Sequence, residues 1–479
     1  MIIFVTGLYK SGTSLVASVL EELGCVSIVD RVATTKGLTQ EYDIKESYFV
    51  NQLNNQILDK YSTGCIYYKN EELPEVIDKT YTQQIASFLN QLKGRTVFIK
   101  DPRFIGTLKY WVANMPEGEQ YKVVYVNREK GLEDSFKVDK WFSDKILDGD
   151  FKKAITSLKS NYYETKSKHP GLEIDFDSQK QDKVKLGYLL YNSITQNFDT
   201  VHKIYFHNYF IPSEELIKLF SKQTPAGSGV WKNLLSVKDI HQADYEIIQD
   251  KTDGNYNLNK VIFFGREPKH VHFHDIPEAA FNFHHEKGNS HMPQTWWVGQ
   301  SYDELVANTS TDKPHLLSII DSGKLGVAGH IQRVGAIDKL YASDIDLHIY
   351  GKTTRYPGEK YLGELPARDK TNGLLPYRFN LAIENGQTDL YFSEKFCDPI
   401  LCNTFPIYSG CKQISKFFPK GSYFSIDLDK DVVAQVRDIT SIPVDQLDYS
   451  ALFEAKDLIL NKYNIWDTIH RVIHTGKTL

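Results

Sequence analysis

Cysteine is scarce in this chain: Cys25, Cys65, Cys397, Cys402 and Cys411, an odd count with no CxxC pair. That suits reduced thiols in a cytoplasm better than a disulfide framework. Long apolar runs are missing too, since no stretch approaches the ~18 residues of a membrane span. The opening run, Met1 to Val5, is too short for a signal-peptide core. These absences together point to a cytoplasmic protein without a membrane anchor. A formal net charge of −5 argues against general nucleic-acid binding, which needs a basic surface. Anionic ligands must then be held by local clusters of cations. There is no internal repeat and no low-complexity tract. The length, 479 residues, exceeds what one hydrophobic core usually serves, so two or three domains are expected.

What the chain does have is strands alternating with helices, the pattern of an α/β fold with parallel sheets. Residues 2–5 form an all-apolar run suited to a buried parallel strand. Leu15, Val16, Val19, Leu20 and Leu23 then recur at helical spacing, with Gly24 as C-cap. Further strands are expected at 96–99, 122–126, 245–248, 261–264, 347–350 and 405–408. Gln223 to Gly229 gathers Pro, Gly and Ser and reads as a linker. It divides the chain into domains 1–225 and 226–479, the second with lobes of about 226–320 and 321–479.

The segment Gly7-Leu8-Tyr9-Lys10-Ser11-Gly12-Thr13-Ser14 joins the first strand to the first helix. Such a turn aims backbone N–H groups and the positive helix end at one spot, an anion site. An ATP-binding loop would read GxxxxGK[ST]. Here Thr13 occupies the lysine slot and the cation stands earlier, at Lys10. The segment resembles the loop of the sulfotransferases that use 3′-phosphoadenosine 5′-phosphosulfate (PAPS). Lys100-Asp101-Pro102-Arg103 after a strand, and Arg128 followed by Ser135, are similar to later features of that family.

The resemblance implies a P-loop-type parallel-sheet sulfotransferase domain over roughly residues 1–220. Lys10, Ser11, Gly12, Thr13 and Ser14 would hold the leaving phosphate, with Lys10 also catalytic. Arg128 and Ser135 would clamp the 3′-phosphate. Glu46 is the first candidate for the base that takes the acceptor proton and Asp101 the second, a solvated surface carboxylate being the alternative for both.

The richest stretch lies at the other end: Pro376-Tyr377-Arg378-Phe379-Asn380-Leu381-Ala382-Ile383-Glu384-Asn385-Gly386, then Asp389-Leu390-Tyr391-Phe392-Ser393-Glu394-Lys395. An apolar strand, a short loop and a serine capping a helix make a ligand-binding turn. Pro406-Ile407-Tyr408 and Phe418-Pro419-Lys420 follow. This series resembles the α1,3-fucosyltransferase signature of glycosyltransferase family 10. Gly329-His330-Ile331-Gln332-Arg333 resembles the family's arginine-bearing helix start, and Gly265-Arg266-Glu267-Pro268 the segment that carries its base.

The resemblance implies a GT-B-like domain of two small Rossmann-like lobes that transfers fucose from GDP-fucose, with inversion and without a metal. Arg333 and Lys395 would neutralise the diphosphate. Asn385 and Tyr391 would contact the donor, Glu394 the ribose hydroxyls, and Glu267 would be the general base. Neighbouring Arg266 is expected to depress the pKa of Glu267.

Together the halves suggest a bifunctional glycan-modifying transferase acting on a glycan or oligosaccharide acceptor with two nucleotide donors. One rival reading makes the first domain a small-molecule kinase; another makes one domain an inactive carbohydrate-binding or scaffold module. His270, His272 and His274 alternate as metal ligands can, with His284, His285 and His291 nearby, but no Cys or carboxylate set completes a site. Asp344-Ile345-Asp346 reads as capping and solvation rather than a metal motif. Trp296 and Trp297 suit either sugar stacking or lobe packing.

Overall fold

The computed structural model describes residues 1–9, 11–28, 46–62, 73–130, 132–138, 151–179, 182–196, 200–208, 211–267, 274–284, 294–352 and 355–478. The chain divides into two compact units, Met1–Val201 and His202–Leu479. The first is built on β1 (Ile2–Gly7), whose six residues are all buried. Flanking it are β2 (Val26–Ser27), β3 (Val97–Lys100), β4 (Tyr121–Asn127) and β5 (Leu172–Asp175), in the order β2-β3-β1-β4-β5. Every pair is parallel.

Side chains alternate across a strand. Ile2 and Phe4 therefore join one core, with Phe104 and Trp111, while Ile3 and Val5 join another, with Val16 and Leu20. Burial on both faces is why the strand reads as an unbroken apolar run.

The second unit holds two sheets. The first lobe comprises β6 (His202–Phe206), β7 (Val230–Trp231), β8 (Leu234–Ser236), β9 (Tyr245–Gln249), β10 (Val261–Gly265) and β11 (Phe281–His284). Their order is β11-β10-β9-β6-β8-β7, parallel except for the last pair. The second lobe comprises β12 (His315–Ile320), β13 (Leu347–Tyr350), β14 (Tyr377–Ile383), β15 (Phe405–Ser409) and β16 (Phe424–Ser425). They form an all-parallel sheet in the order β13-β12-β14-β15-β16.

From β12 the chain goes to β13 on one side and returns to β14 on the other. This reversal leaves a crevice beyond the carboxyl ends of β12 and β14, the usual ligand position in such sheets. No helix among the described residues is long and apolar enough to cross a membrane.

The expected strands form, but two boundaries move. The domain division falls after Val201 rather than at 225/226, because β6 is hydrogen-bonded between β9 and β8 in the first-lobe sheet. Gln223–Gly229 is no linker: Gln223 and Thr224 are fully buried, and the Gly229 N–H donates to Thr224 Oγ1 at 2.8 Å. The lobe division expected at 320/321 also moves, since β12 belongs to the second sheet. The helix Ile465–Thr475 returns to the first lobe, packing Trp466, Ile469 and Val472 against Phe206 and Phe220.

Trp466 is fully buried and its indole N–H donates to the Phe220 carbonyl at 2.7 Å. Trp466→Ala is expected to destabilise the second unit by about 3–5 kcal/mol, read as a shift of its urea unfolding midpoint.

Candidate active site

Glu384 follows β14 directly and is buried. Its carboxylate accepts from the Ser393 backbone N–H at 2.8 Å and the Ser393 hydroxyl at 2.7 Å. The loop between them is thus closed at its base. The Ser393 oxygen also accepts from the Lys395 N–H at 3.3 Å, capping the helix Glu394–Leu401. Lys395 Nζ lies 3.2 Å from Glu394 Oε1 and 3.7 Å from Glu384 Oε2. Lys370 Nζ sits 2.7 Å from Asp398 Oδ2 and 3.8 Å from Glu394 Oε1.

Charge and burial compete in this cluster. Burial pushes the Glu384 carboxyl up, with Lys395 opposing. Burial acts the same way on Glu394, but Lys395 and Lys370 outweigh it and hold that carboxyl well below the usual range. Burial would lower the Lys395 pKa, and Glu394 and Glu384 raise it instead. Lys395 is a charged ammonium facing a cleft.

Arg333 arrives from the helix Ala328–Tyr341. Its NH1 donates to Asn385 Oδ1 at 3.3 Å and its NH2 to Ser322 Oγ at 3.2 Å, and Nε lies 3.7 Å from Asp321 Oδ1. His330 Nε2 meets the same Asn385 oxygen at 3.1 Å. A Cβ on Gly329 would lie 2.0 Å from the Asn385 carbonyl oxygen, so only glycine lets this helix start touch the loop.

The opposite wall comes from the first lobe. Glu267 follows β10, and its Oε2 is buried without a hydrogen-bond partner among the described residues. Burial raises its pKa, Asp250 adds to the rise, and Lys395 and Arg266 oppose. The expected depression by Arg266 does not prevail. That guanidinium turns to Asp250, its Nε lying 3.4 Å from Oδ2. Glu267, Arg333, Asn385, Tyr391, Glu394 and Lys395 all face one cleft of about 1090 Å³. Tyr391 is buried there, and burial with Glu384 and Glu267 nearby raises its pKa well above the ordinary value.

The sequence reading missed three residues of this cleft. Asp398 stands four residues after Glu394, a helical spacing that places both on one face. Lys370 and Asp321 carry no local signal, since their partners are distant in sequence. Of the tryptophan pair, Trp296 is core, whereas Trp297 lines the cleft and donates its backbone N–H to Asp398 Oδ1 at 3.1 Å.

In the first unit, β1 runs through the glycine loop into the helix Thr13–Glu22. Gly12 adopts φ 98°, and a Cβ there would lie 2.1 Å from the Phe176 ring. Ser11 Oγ is buried without a partner among the described residues, and Thr13 is buried. Ser14 Oγ accepts from Lys100 Nζ at 3.0 Å. Lys100 also pairs with Glu46 Oε1 at 3.1 Å, and Asn51 Nδ2 donates to Glu46 Oε2 at 2.9 Å. Lys10 lies outside the described residues.

Lys100, which has no role in the sequence reading, is a cation that reaches the loop from β3. Asp101 is fully buried, 2.9 Å from Arg103 NH1 and 3.1 Å from Asn54 Nδ2. It is neither a solvated carboxylate nor open to an acceptor. The Arg128 guanidinium lies over the Phe176 ring at 5.6 Å, and that ring covers Gly12. Ser135 is half-buried on the helix Leu132–Val138.

No group of three or more His, Cys, Asp or Glu among the described residues is placed to hold a metal. His270, His272, His285 and His291 lie outside those residues, and His284 pairs with Asp275 at 2.9 Å. Asp344 pairs with Arg437 at 2.5 Å, exposed.

Residues 325–472 match the family model described as glycosyltransferase family 10 (fucosyltransferase), C-terminal part. No curated protein matches the chain. It is similar to the crystal structure of an α1,3-fucosyltransferase with GDP, at 13% identity over 55% of this chain and 90% of that one, TM-score 0.35. An α1,3-fucosyltransferase with GDP-fucose is similar at 16% identity over 55% and 83%, TM-score 0.29. The kitacinnamycin glycotransferase covers 99% of this chain and 98% of its own at 9% identity, TM-score 0.23.

Ser393→Ala removes the hydroxyl that caps the helix and donates to Glu384, leaving the backbone N–H donor in place. It is expected to cost about 1–2 kcal/mol of stability, measured by urea unfolding.

Proposed function

We propose that the second unit transfers fucose from GDP-fucose to a glycan hydroxyl. One observation carries the reading: Glu267 shares one cleft with the cations Lys395 and Arg333, and those two cations lie inside the region, 325–472, that matches the fucosyltransferase model. In this GT-B-like arrangement of two lobes, Arg333 and Lys395 bind the diphosphate and take up the charge it gains on leaving. Glu394, ionised at working pH, accepts from the ribose hydroxyls. Asn385 and Tyr391 border the donor. Glu267 receives the acceptor's proton as the acceptor oxygen bonds to the sugar carbon and the bond to the diphosphate breaks. The family resemblance implies inversion, and the two cations replace a metal in neutralising the leaving group.

For the first unit we propose sulfuryl transfer from PAPS. It is favoured over a kinase by Thr13 in the lysine slot of an ATP-binding loop and by Lys100, which reaches Ser14 from β3. Ser11, Gly12, Thr13 and Ser14 cradle the phosphate, with Lys10 and Lys100 as its cations. Arg128 and Ser135 bind the 3′-phosphate, and Glu46 is the base. Both units would act on one glycan, linkage raising the effective concentration of the shared intermediate.

Glu267→Gln is expected to abolish GDP release from GDP-fucose in the presence of sugar acceptors while leaving GDP binding intact. Lys395→Ala is expected to weaken GDP binding about 10- to 100-fold, the worth of a charge-assisted contact. Both are read by calorimetry and a GDP-release assay; unchanged turnover in Glu267→Gln would sink the reading. Adenosine 3′,5′-bisphosphate is expected to bind the parent chain more tightly than ATP, and the reverse order would favour the kinase.

A base acts only when deprotonated, and the raised pKa of Glu267 moves that step upward. The acid limb of kcat/KM, which reports the free enzyme, should therefore lie above the ordinary glutamate value of about 4.3, and a limb at or below it would contradict the assignment.

A further inference from the structure

Asp250 sits just beyond β9 and has no place in the chemistry described so far. It is buried and holds φ 62°, a left-handed conformation that aspartate and asparagine tolerate better than most residues. Its Oδ1 accepts two backbone N–H groups of the neighbouring strand end, from Arg266 at 2.6 Å and Glu267 at 3.0 Å. Its own N–H donates to the Phe264 carbonyl at 2.9 Å, completing the tie between the ends of β9 and β10. Its other oxygen pairs with Arg266, whose NH1 donates onward to Thr295 Oγ1 at 3.5 Å.

We propose that Asp250 is a positioning residue for Glu267: its carboxylate fixes the backbone that launches Glu267 into the cleft and draws the adjacent Arg266 guanidinium toward itself. The proposal rests on the reading of Glu267 as the base and extends it to a residue that never meets the substrate. Two effects follow from one side chain. Accepting the N–H groups of residues 266 and 267 sets the direction of the Glu267 side chain. Binding Arg266 keeps a cation from forming a salt bridge with the base and inactivating it as a proton acceptor.

The charges bearing on Glu267 are Asp250 and Arg266 from the first lobe and Lys395 and Glu394 from the second, with the Tyr391 hydroxyl also near. Neutralising Asp250 removes one anion and frees one cation. Both changes make the charged form of Glu267 easier to reach, so its pKa falls.

Two variants separate the effects. Asp250→Asn keeps an oxygen acceptor and suits the left-handed backbone, and removes only the charge. Its acid limb of kcat/KM, for GDP release from GDP-fucose with the best acceptor in a sugar panel, is expected to move down by about half a pH unit or more. Asp250→Gly fits the backbone angle without strain and removes the acceptor. Its kcat is expected to fall about 10- to 100-fold, the scale for a misplaced catalytic group, with GDP binding unchanged.

An Asp250→Gly enzyme within about twofold of the parent rate would overturn the proposal while Glu267→Gln, still inactive, kept the base assignment standing. Full activity of Glu267→Gln would remove the base assignment, and the proposal with it. Should Asp250→Gly fail to bind GDP, the Asp250→Asn profile decides: a limb that stays in place overturns the proposal.

Discussion

The enclosed Glu384 carboxylate is the contact on which the cation side of the cleft depends. It stands at the end of a strand buried on both faces, where an unpaired carboxylate would be costly. Ser393 supplies two donors, and in doing so fixes the end of a loop and the start of a helix. That helix start carries Glu394 and Lys395, and four residues on, Asp398, which anchors Lys370. Five charged groups are thus placed by one strand end. Their mutual neutralisation leaves a cation facing the cleft rather than a string of buried charges.

The two acids of the cleft have opposite fates for reasons of environment alone. Glu394 lies between two lysines and stays ionised far below the ordinary range. Glu267 is half-buried near another carboxylate and is harder to ionise. Such divergence between two groups of the same chemistry is how acid–base roles are divided in one site. On the proposed reading it suits Glu394 to accept hydrogen bonds from hydroxyls and Glu267 to accept a proton.

The strands were legible because their patterns are local. β1, β4, β10 and β15 are apolar runs buried on both faces, and the helix Glu394–Leu401 announces itself by Ser393. The domain boundary was not legible. Gln223–Gly229 has linker composition, yet tertiary packing buries it, and β6 earns its place only by pairing with strands later in sequence. The site followed the same division. Residues on the strand–loop–helix were read from their motif, and the structure places them in one cleft. Asp250, Asp321 and Lys370 act through partners remote in sequence and left no trace in it. In the first unit, Lys100 reaches Ser14 across 86 positions, which no local pattern announces.

The central claim is that the second unit is built for a guanosine diphosphate sugar. A calorimetric titration of the intact chain with GDP-fucose, GDP-mannose, UDP-galactose and UDP-glucose tests it most directly. GDP-fucose is expected to bind and to be displaced by GDP, with the UDP-sugars binding weakly or not at all. Tight binding of a UDP-sugar, with none for GDP-fucose, would contradict the account.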